Sequence, residues 1–299
     1  MTGAFLTALF FAGNAVCARR AALHYGGTTG NFLRLLLAVA LLAAWAHAAG
    51  QGVGGGALAW FLLSGAVGFG LGGLTMFHAL PLIGSNLSML IVQCGSAVAA
   101  ALIEWLWLGS RLSVAQTGFA ALTLAGVAVA LIGPIPQRRH ALGLSLAIVS
   151  ACAQGGGAVI SRKAFGLLHA HGFFMDGATS AYQRALGGLA VGTIALLVVR
   201  WWPGVEPANP GVMVPAPAQK LPPWVWVVLN TLLGPVLGVT CYQWALRNNP
   251  AGVVLPIVAT APLLTVPIAW ALERSRPTPR FWTGALLAVA GVAGLSIAK

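Results

Sequence analysis

Eight uncharged polar side chains stand inside long apolar runs of this sequence: Asn14, Thr75, Ser88, Gln93, Gln154, Tyr242, Gln243 and Thr260. Amides and hydroxyls both donate and accept hydrogen bonds. A set of them can hold a zwitterion, with donors for its carboxylate and acceptors for its ammonium, and needs no permanent buried charge. The plainer role for each is a hydrogen bond from one helix to the next. His78 also sits inside a run, and Trp244 stands 166 residues further on in a matching context. This pair is expected to line or gate the two mouths of a cavity. The alternative for His78 is a hydrogen-bonded histidine near a helix end.

Hydrolytic and metal chemistry find no comparable set. The acids are Glu104, Asp176, Glu206 and Glu273, all near the ends of runs or in a loop, and no HxxxH or HExxH pattern occurs. Interfacial pairing with neighbours such as Arg111 or Arg274 is the expected use of these acids. Cys17, Cys94, Cys152 and Cys241 lie in apolar runs without a CxxC pair, and read as small buried residues. Neither a metal nor a cofactor is expected, and the chain does not read as an enzyme.

The elements that must position these groups follow from a single physical limit. A helix crossing the hydrocarbon of a bilayer needs about 20 apolar residues. Runs of that kind cover 3–23, 29–48, 57–80, 84–107, 114–133, 141–165, 177–200, 223–246, 252–272 and 280–298. The first has neither a basic leader nor a cleavage site after it, and reads as a retained helix. Composition agrees: 59% of residues are hydrophobic and 7% charged, against about 25% charged in a soluble domain. Such a chain has too little charge to dress a water-facing surface. The net charge of +12 comes largely from basic pairs at run ends, such as Arg19-Arg20, Arg138-Arg139 and Arg162-Lys163. That placement suits anionic lipid headgroups. No basic stripe with interleaved aromatics marks a nucleic-acid surface. Trp201, Trp202, Trp224 and Trp226 flank a proline-rich loop at 201–222 and read as an interfacial belt.

Two helices carry candidate breaks. Pro256, Pro262 and Pro267 each remove a backbone donor from the ninth run, and Gly155, Gly156 and Gly157 interrupt the sixth. Both are expected as flexible or kinked, cavity-side segments, since freed backbone groups at membrane depth must face protein or water. Simple kinking for packing is the alternative.

The sequence also repeats itself. Gly68 and Gly72 recur 166 residues later as Gly234 and Gly238, Ala79-Leu80 as Ala245-Leu246, and Thr117-Gly118 as Thr283-Gly284. With smaller shifts, Ala15-Val16 matches Ala158-Val159, Arg19-Arg20 matches Arg162-Lys163, and Arg34 matches Arg184. The division falls into residues 1–137 and 138–299. Five crossings per half return the chain on the opposite side, so the second half is expected upside down relative to the first. The fold class is therefore an all-α membrane protein of ten transmembrane helices, as two inverted five-helix repeats around a central cavity. The glycine pairs read as close intramolecular packing faces.

These tandem blocks resemble the drug/metabolite transporter superfamily, EamA type, over nearly the whole chain. Within it the sequence is similar to the YddG-type exporters of amino acids and related metabolites. The resemblance rests on the basic end of each first helix, the arginine opening each second helix and the Ala-Leu pair closing each third. It rests also on the turn Leu108-Gly109-Ser110-Arg111-Leu112-Ser113 leading to Thr117-Gly118. It implies a basket lined by helices one, three, four, six, eight and nine, with both termini cytoplasmic. Many members carry glutamate where Ser110 stands, so no role for that acid carries over. The basic residues count nine outside and five inside in that orientation, against the positive-inside rule. The implied function is a monomeric secondary transporter of the bacterial inner membrane. It would export amino acids, aromatic ones included, and related metabolites by alternating access, with lipids and the small-molecule substrate as partners. The competing readings are a membrane-embedded lipid-modifying enzyme and a lipid translocator.

Overall fold

The computed structural model describes residues 1–83, 85–131, 140–202, 221–265 and 279–298. Their regular structure is helical, with boundaries close to those expected from the apolar runs. Helix α1 is Thr2–Tyr25 and α2 is Gly27–Ala48. Helix α3 runs as Leu58–Gly65, a π-helical stretch Ala66–Leu71, and Gly72–Ile83. Then follow α4 (Ser85–Leu108), α5 (Val114–Leu131), α6 (His140–Ala170) and α7 (Gly177–Trp201). Helix α8 joins Pro223–Thr231, a π-helical Leu232–Val236 and Leu237–Asn248. Helix α9 begins as Ala251–Val258, and α10 is Pro279–Ile297. Among the described residues seven helices are long and apolar enough to cross a membrane, with shorter apolar helices at Val114–Ala130 and Ala251–Thr265. Pro267, Glu206, Glu273 and the loop beyond Trp202 lie outside the described residues.

Helix starts are set locally. Asp176 caps α7, its Oδ1 accepting from the backbone N–H groups of Ala178 and Thr179 at 2.9 Å, which satisfies donors that have no partner in the first turn. Pro222 and Pro250 precede α8 and α9, with Pro223 at the first turn of α8, where a missing N–H costs nothing. Inside α8, Pro235 cannot donate to the ladder, and the helix widens to π there. The π stretch of α3 begins 166 residues earlier and is flanked by Gly65 and Gly72. Glycine lowers helix propensity at such a site.

Where no water drives helices together, close backbone approach and hydrogen bonds must hold them. Helix α6 packs on α3 and α4. A Cβ at Gly155 would strike the backbone of Ser96 and Ala100, and one at Gly157 would strike Ser64 and Gly68. Helix α6 stays helical through these three glycines, whose use here is contact. Ser64 Oγ donates to the Gly157 carbonyl at 2.6 Å, and Ser150 Oγ donates to the Gly72 carbonyl at 2.7 Å. Thr7 Oγ1 donates to the Gly3 carbonyl of its own helix at 2.7 Å and lies 3.3 Å from the Gly238 carbonyl, where α1 meets α8.

Two further pairs of helices pack along each other. Helix α2 lies along α7 and α5 along α10. Gly192 faces Leu35 while Tyr182 reaches back to His47, Oη to Nε2 at 3.3 Å, so α2 and α7 are antiparallel. Gly126 abuts Gly284 and Ala288 while Gly291 abuts Thr123, so α5 and α10 are antiparallel too.

Four expectations need correction. Cys152 is exposed, although Cys17 is buried. Trp226 is buried, with the Arg20 guanidinium 4.2 Å from its ring centre, unlike exposed Trp201, Trp202 and Trp224. A cation on an aromatic face shields both from lipid. Arg162 is no free headgroup anchor, because its Nε lies 3.3 Å from Glu104 Oε1. Glu104 is 2% exposed and takes that arginine as partner, not Arg111.

Candidate substrate chamber

The residues that fold places at the centre come from both halves. Two cavities of about 50 and 60 Å³ share Phe11, Gly68, Phe69, Gln93, Gln154 and Val239 on their walls, so they are lobes of one chamber. The first lobe is closed by Ser96, Arg184, Tyr242, Leu255 and Val258. The second is closed by Asn14, Ala18, Arg34, Gly73, Met76, Phe77, Met89, Val92, Gly234 and Pro235. Both π-helical stretches reach the wall, through Gly68 and Phe69 and through Gly234 and Pro235. Widening a helix by one residue re-aims the side chains after it, which is why such stretches gather at functional sites.

Of the residues singled out from sequence, the fold brings Asn14, Gln93, Gln154 and Tyr242 to the chamber wall. Asn14 Oδ1 is buried without a partner among the described residues. Gln154 Nε2 donates to Ser150 Oγ at 3.1 Å. Thr75, His78, Ser88, Gln243, Trp244 and Thr260 border neither lobe. Thr75 Oγ1 bonds the Leu71 carbonyl at 2.8 Å and Thr260 Oγ1 the Ile257 carbonyl at 2.7 Å, each within its own helix. Ser88 and Gln243 are fully buried, and Ser88 Oγ and both amide atoms of Gln243 have no partner among the described residues. His78 shares Nδ1 with the Leu74 carbonyl at 2.9 Å and Nε2 with Thr28 Oγ1 at 3.4 Å, its ring beside Gly27 at the start of α2. Trp244 is 42% exposed beside Gly177 at the start of α7. Helix α9 turns at Ala259–Thr260, just before Pro262, whose missing N–H frees a carbonyl there, and Pro256 lies within its first part.

Arg34 and Arg184, matching landmarks in the sequence, also border the chamber. Each lies seven residues past the first residue of its helix, Gly27 and Gly177, or about 10 Å along the axis. A charge at that depth marks function by default, and that signal was readable. Phe11, Phe69 and Phe77 were not readable, because one phenylalanine among twelve carries no mark of which way it faces.

No curated protein matches this sequence. A solved chain described only as "Crystal structure of protein" superposes with a TM-score of 0.72 at 18% identity, covering 99% of this chain and 96% of its own. At that identity the likeness speaks for the fold alone. The EamA-like transporter family matches residues 1–132 and 141–297. Those two stretches leave out only the short connection between them and the last two residues, and the chamber just described draws its walls from both, so the chain belongs to the EamA-like transporter family of multi-pass membrane proteins.

Proposed function

We propose that this chain is a secondary transporter that exports amino acids, aromatic ones included, and related small metabolites across the inner membrane by alternating access. In this reading ten transmembrane helices form two inverted five-helix repeats, residues 1–137 and 138–299, with both termini cytoplasmic and the protein working as a monomer. The observation that carries it is the antiparallel packing of α2 on α7 and of α5 on α10, beside a chamber walled by residues from both 1–137 and 138–299. An inverted pair of this kind opens a central site to either side by rocking. The family's match to residues 1–132 and 141–297 agrees with a duplicated chain.

The chamber chemistry suits an amphipathic solute. Phe11, Phe69 and Phe77 offer apolar faces, while Asn14, Gln93, Gln154 and Tyr242 offer donors and acceptors. Its lobes, at about 50 and 60 Å³, fall short of the roughly 300–1,000 Å³ of small-molecule sites. Loading therefore requires the walls to part, as alternating access demands. A lipid-modifying enzyme would need nucleophile, base or metal groups around a site. Among the described residues no group of three or more His, Cys, Asp or Glu is placed to hold a metal.

Purified protein in proteoliposomes, offered a panel of labelled amino acids, tests the proposal. Saturable uptake that unlabelled substrate competes away is the expected result. Linear flux without competition would mean a pore, and no flux above protein-free vesicles would remove the reading. His78 and Trp244, beside the first residues of α2 and α7, are proposed as mouth residues. In the same assay His78→Ala and Trp244→Ala should slow transport severalfold at equal protein content; rates equal to wild type would strike them from the site.

A further inference from the structure

Arg34 and Arg184 are 8% and 3% exposed, and each forms part of one lobe of the chamber. No acid lines either lobe among the described residues. Arg184 Nε and Nη1 are buried and have no hydrogen-bond partner among the described residues. Arg34 donates from Nε to Asn31 Oδ1 at 3.0 Å. Each guanidinium is flanked by a ring, Phe77 at 4.7 Å from Arg34 and Phe69 at 4.9 Å from Arg184. Each is also cradled by a glycine. A Cβ on Gly68 would sit 2.9 Å from Arg184 Nη2, and one on Gly73 would sit 2.6 Å from Arg34 Nη2.

A buried cation without a counter-ion is expensive, and a ring face repays only part of it. Guanidinium donors form a planar fork that matches two oxygens of an oxyanion. We propose that the chamber holds its substrate by a carboxylate, with Arg184 as the seat in the first lobe and Arg34 as the repeat-equivalent seat in the second. Unpartnered, buried donors on Arg184 beside the first lobe are the state such a seat has before the anion arrives. The substrate class narrows accordingly to carboxylates. Amides, esters and amines of the same skeleton are excluded, because a neutral head leaves the buried cation uncompensated. The inference rests on the carrier reading above, and its test separates the two.

The test is competition against labelled L-phenylalanine on the purified full-length protein, with parallel uptake in proteoliposomes. The competitors are unlabelled phenylalanine, 3-phenylpropionate, phenylalaninamide and phenethylamine. Phenylalanine and 3-phenylpropionate should compete, and the amide and the amine should compete at least roughly tenfold less well. Arg184→Gln should weaken phenylalanine by a similar factor and erase the distinction between acid and amide, and Arg184→Lys should restore part of it. Equal competition by acid and amide in the unaltered protein overturns the seat while leaving the carrier reading intact. That arm needs no variant, so it decides even if Arg184→Gln does not fold. Arg184→Gln and Arg34→Gln both binding phenylalanine like wild type would also overturn it. Binding and uptake of none of the four compounds would defeat the carrier reading itself, and the seat with it.

Discussion

Alanine at Gly65, or at Gly187, is expected to lower the stability of the detergent-solubilised protein by about 3 kcal/mol or more, read as a fall in the midpoint of thermal unfolding. These residues mark the place where α3 and α7 touch backbone to backbone. A Cβ at Gly65 would run into the Arg184 carbonyl and one at Gly187 into the Leu62 carbonyl. Neither obstacle is the tip of a flexible side chain, so the helices themselves must separate. Separation opens the neighbouring contacts as well, and in lipid no hydrophobic force between helices draws them back. Because the obstructing carbonyl belongs to Arg184, the same substitution should move that residue and weaken transport in whatever molecules still fold. Gly118 is the internal control. A Cβ there would meet nothing within 4 Å, so Gly118→Ala should leave the unfolding midpoint unchanged or raise it slightly, since alanine suits a helix better than glycine. Equal midpoints for Gly65→Ala and Gly118→Ala would show that the close approach is not limiting.

Removing Arg162 should come next in size. Glu104 is 2% exposed. Its Oε1 lies 3.3 Å from Arg162 Nε and its Oε2 accepts from the Gly252 N–H at 3.1 Å. Arg162 Nη1 in turn donates to the Leu246 carbonyl at 2.8 Å. One ion pair thus joins α4 and α6 to the junction of α8 with α9. The pair itself contributes little net stability, because both charges must be desolvated. Breaking it is a different matter, since Arg162→Ala strands a carboxylate in the interior, at about 3 kcal/mol. Glu104→Ala should be milder, because the Arg162 side chain is 23% exposed and keeps its carbonyl partners. The double variant should recover much of the loss of Arg162→Ala. Additive losses across the four proteins, measured by thermal unfolding, would show that the two residues do not act as a pair.

Helix positions were legible in the sequence because a bilayer-length apolar run is a local property. The runs at 29–48 and 177–200 became α2, Gly27–Ala48, and α7, Gly177–Trp201. Gly68, Gly72, Gly234 and Gly238 stand where α3 meets α6 and α8 meets α1, and close packing admits few other residues there. The site was legible only in part. Asn14, Gln93, Gln154 and Tyr242 do face the chamber. Thr75 and Thr260 carry the same polar chemistry in the same kind of run, yet bond their own helices. A hydroxyl one turn from a free carbonyl can always do so, and composition does not reveal which choice it takes.

Taken alone, then, the sequence determined that the chain is helical and apolar enough for lipid, because both depend on residue type and spacing along one helix. The tertiary structure alone decided direction. It turned Arg34 and Arg184 toward a chamber instead of a headgroup, laid Arg20 on Trp226, buried Glu104 against Arg162, and widened α3 and α8 into π turns at the wall. A side chain's facing depends on what the neighbouring helices bring to it, and those neighbours are far away in the chain.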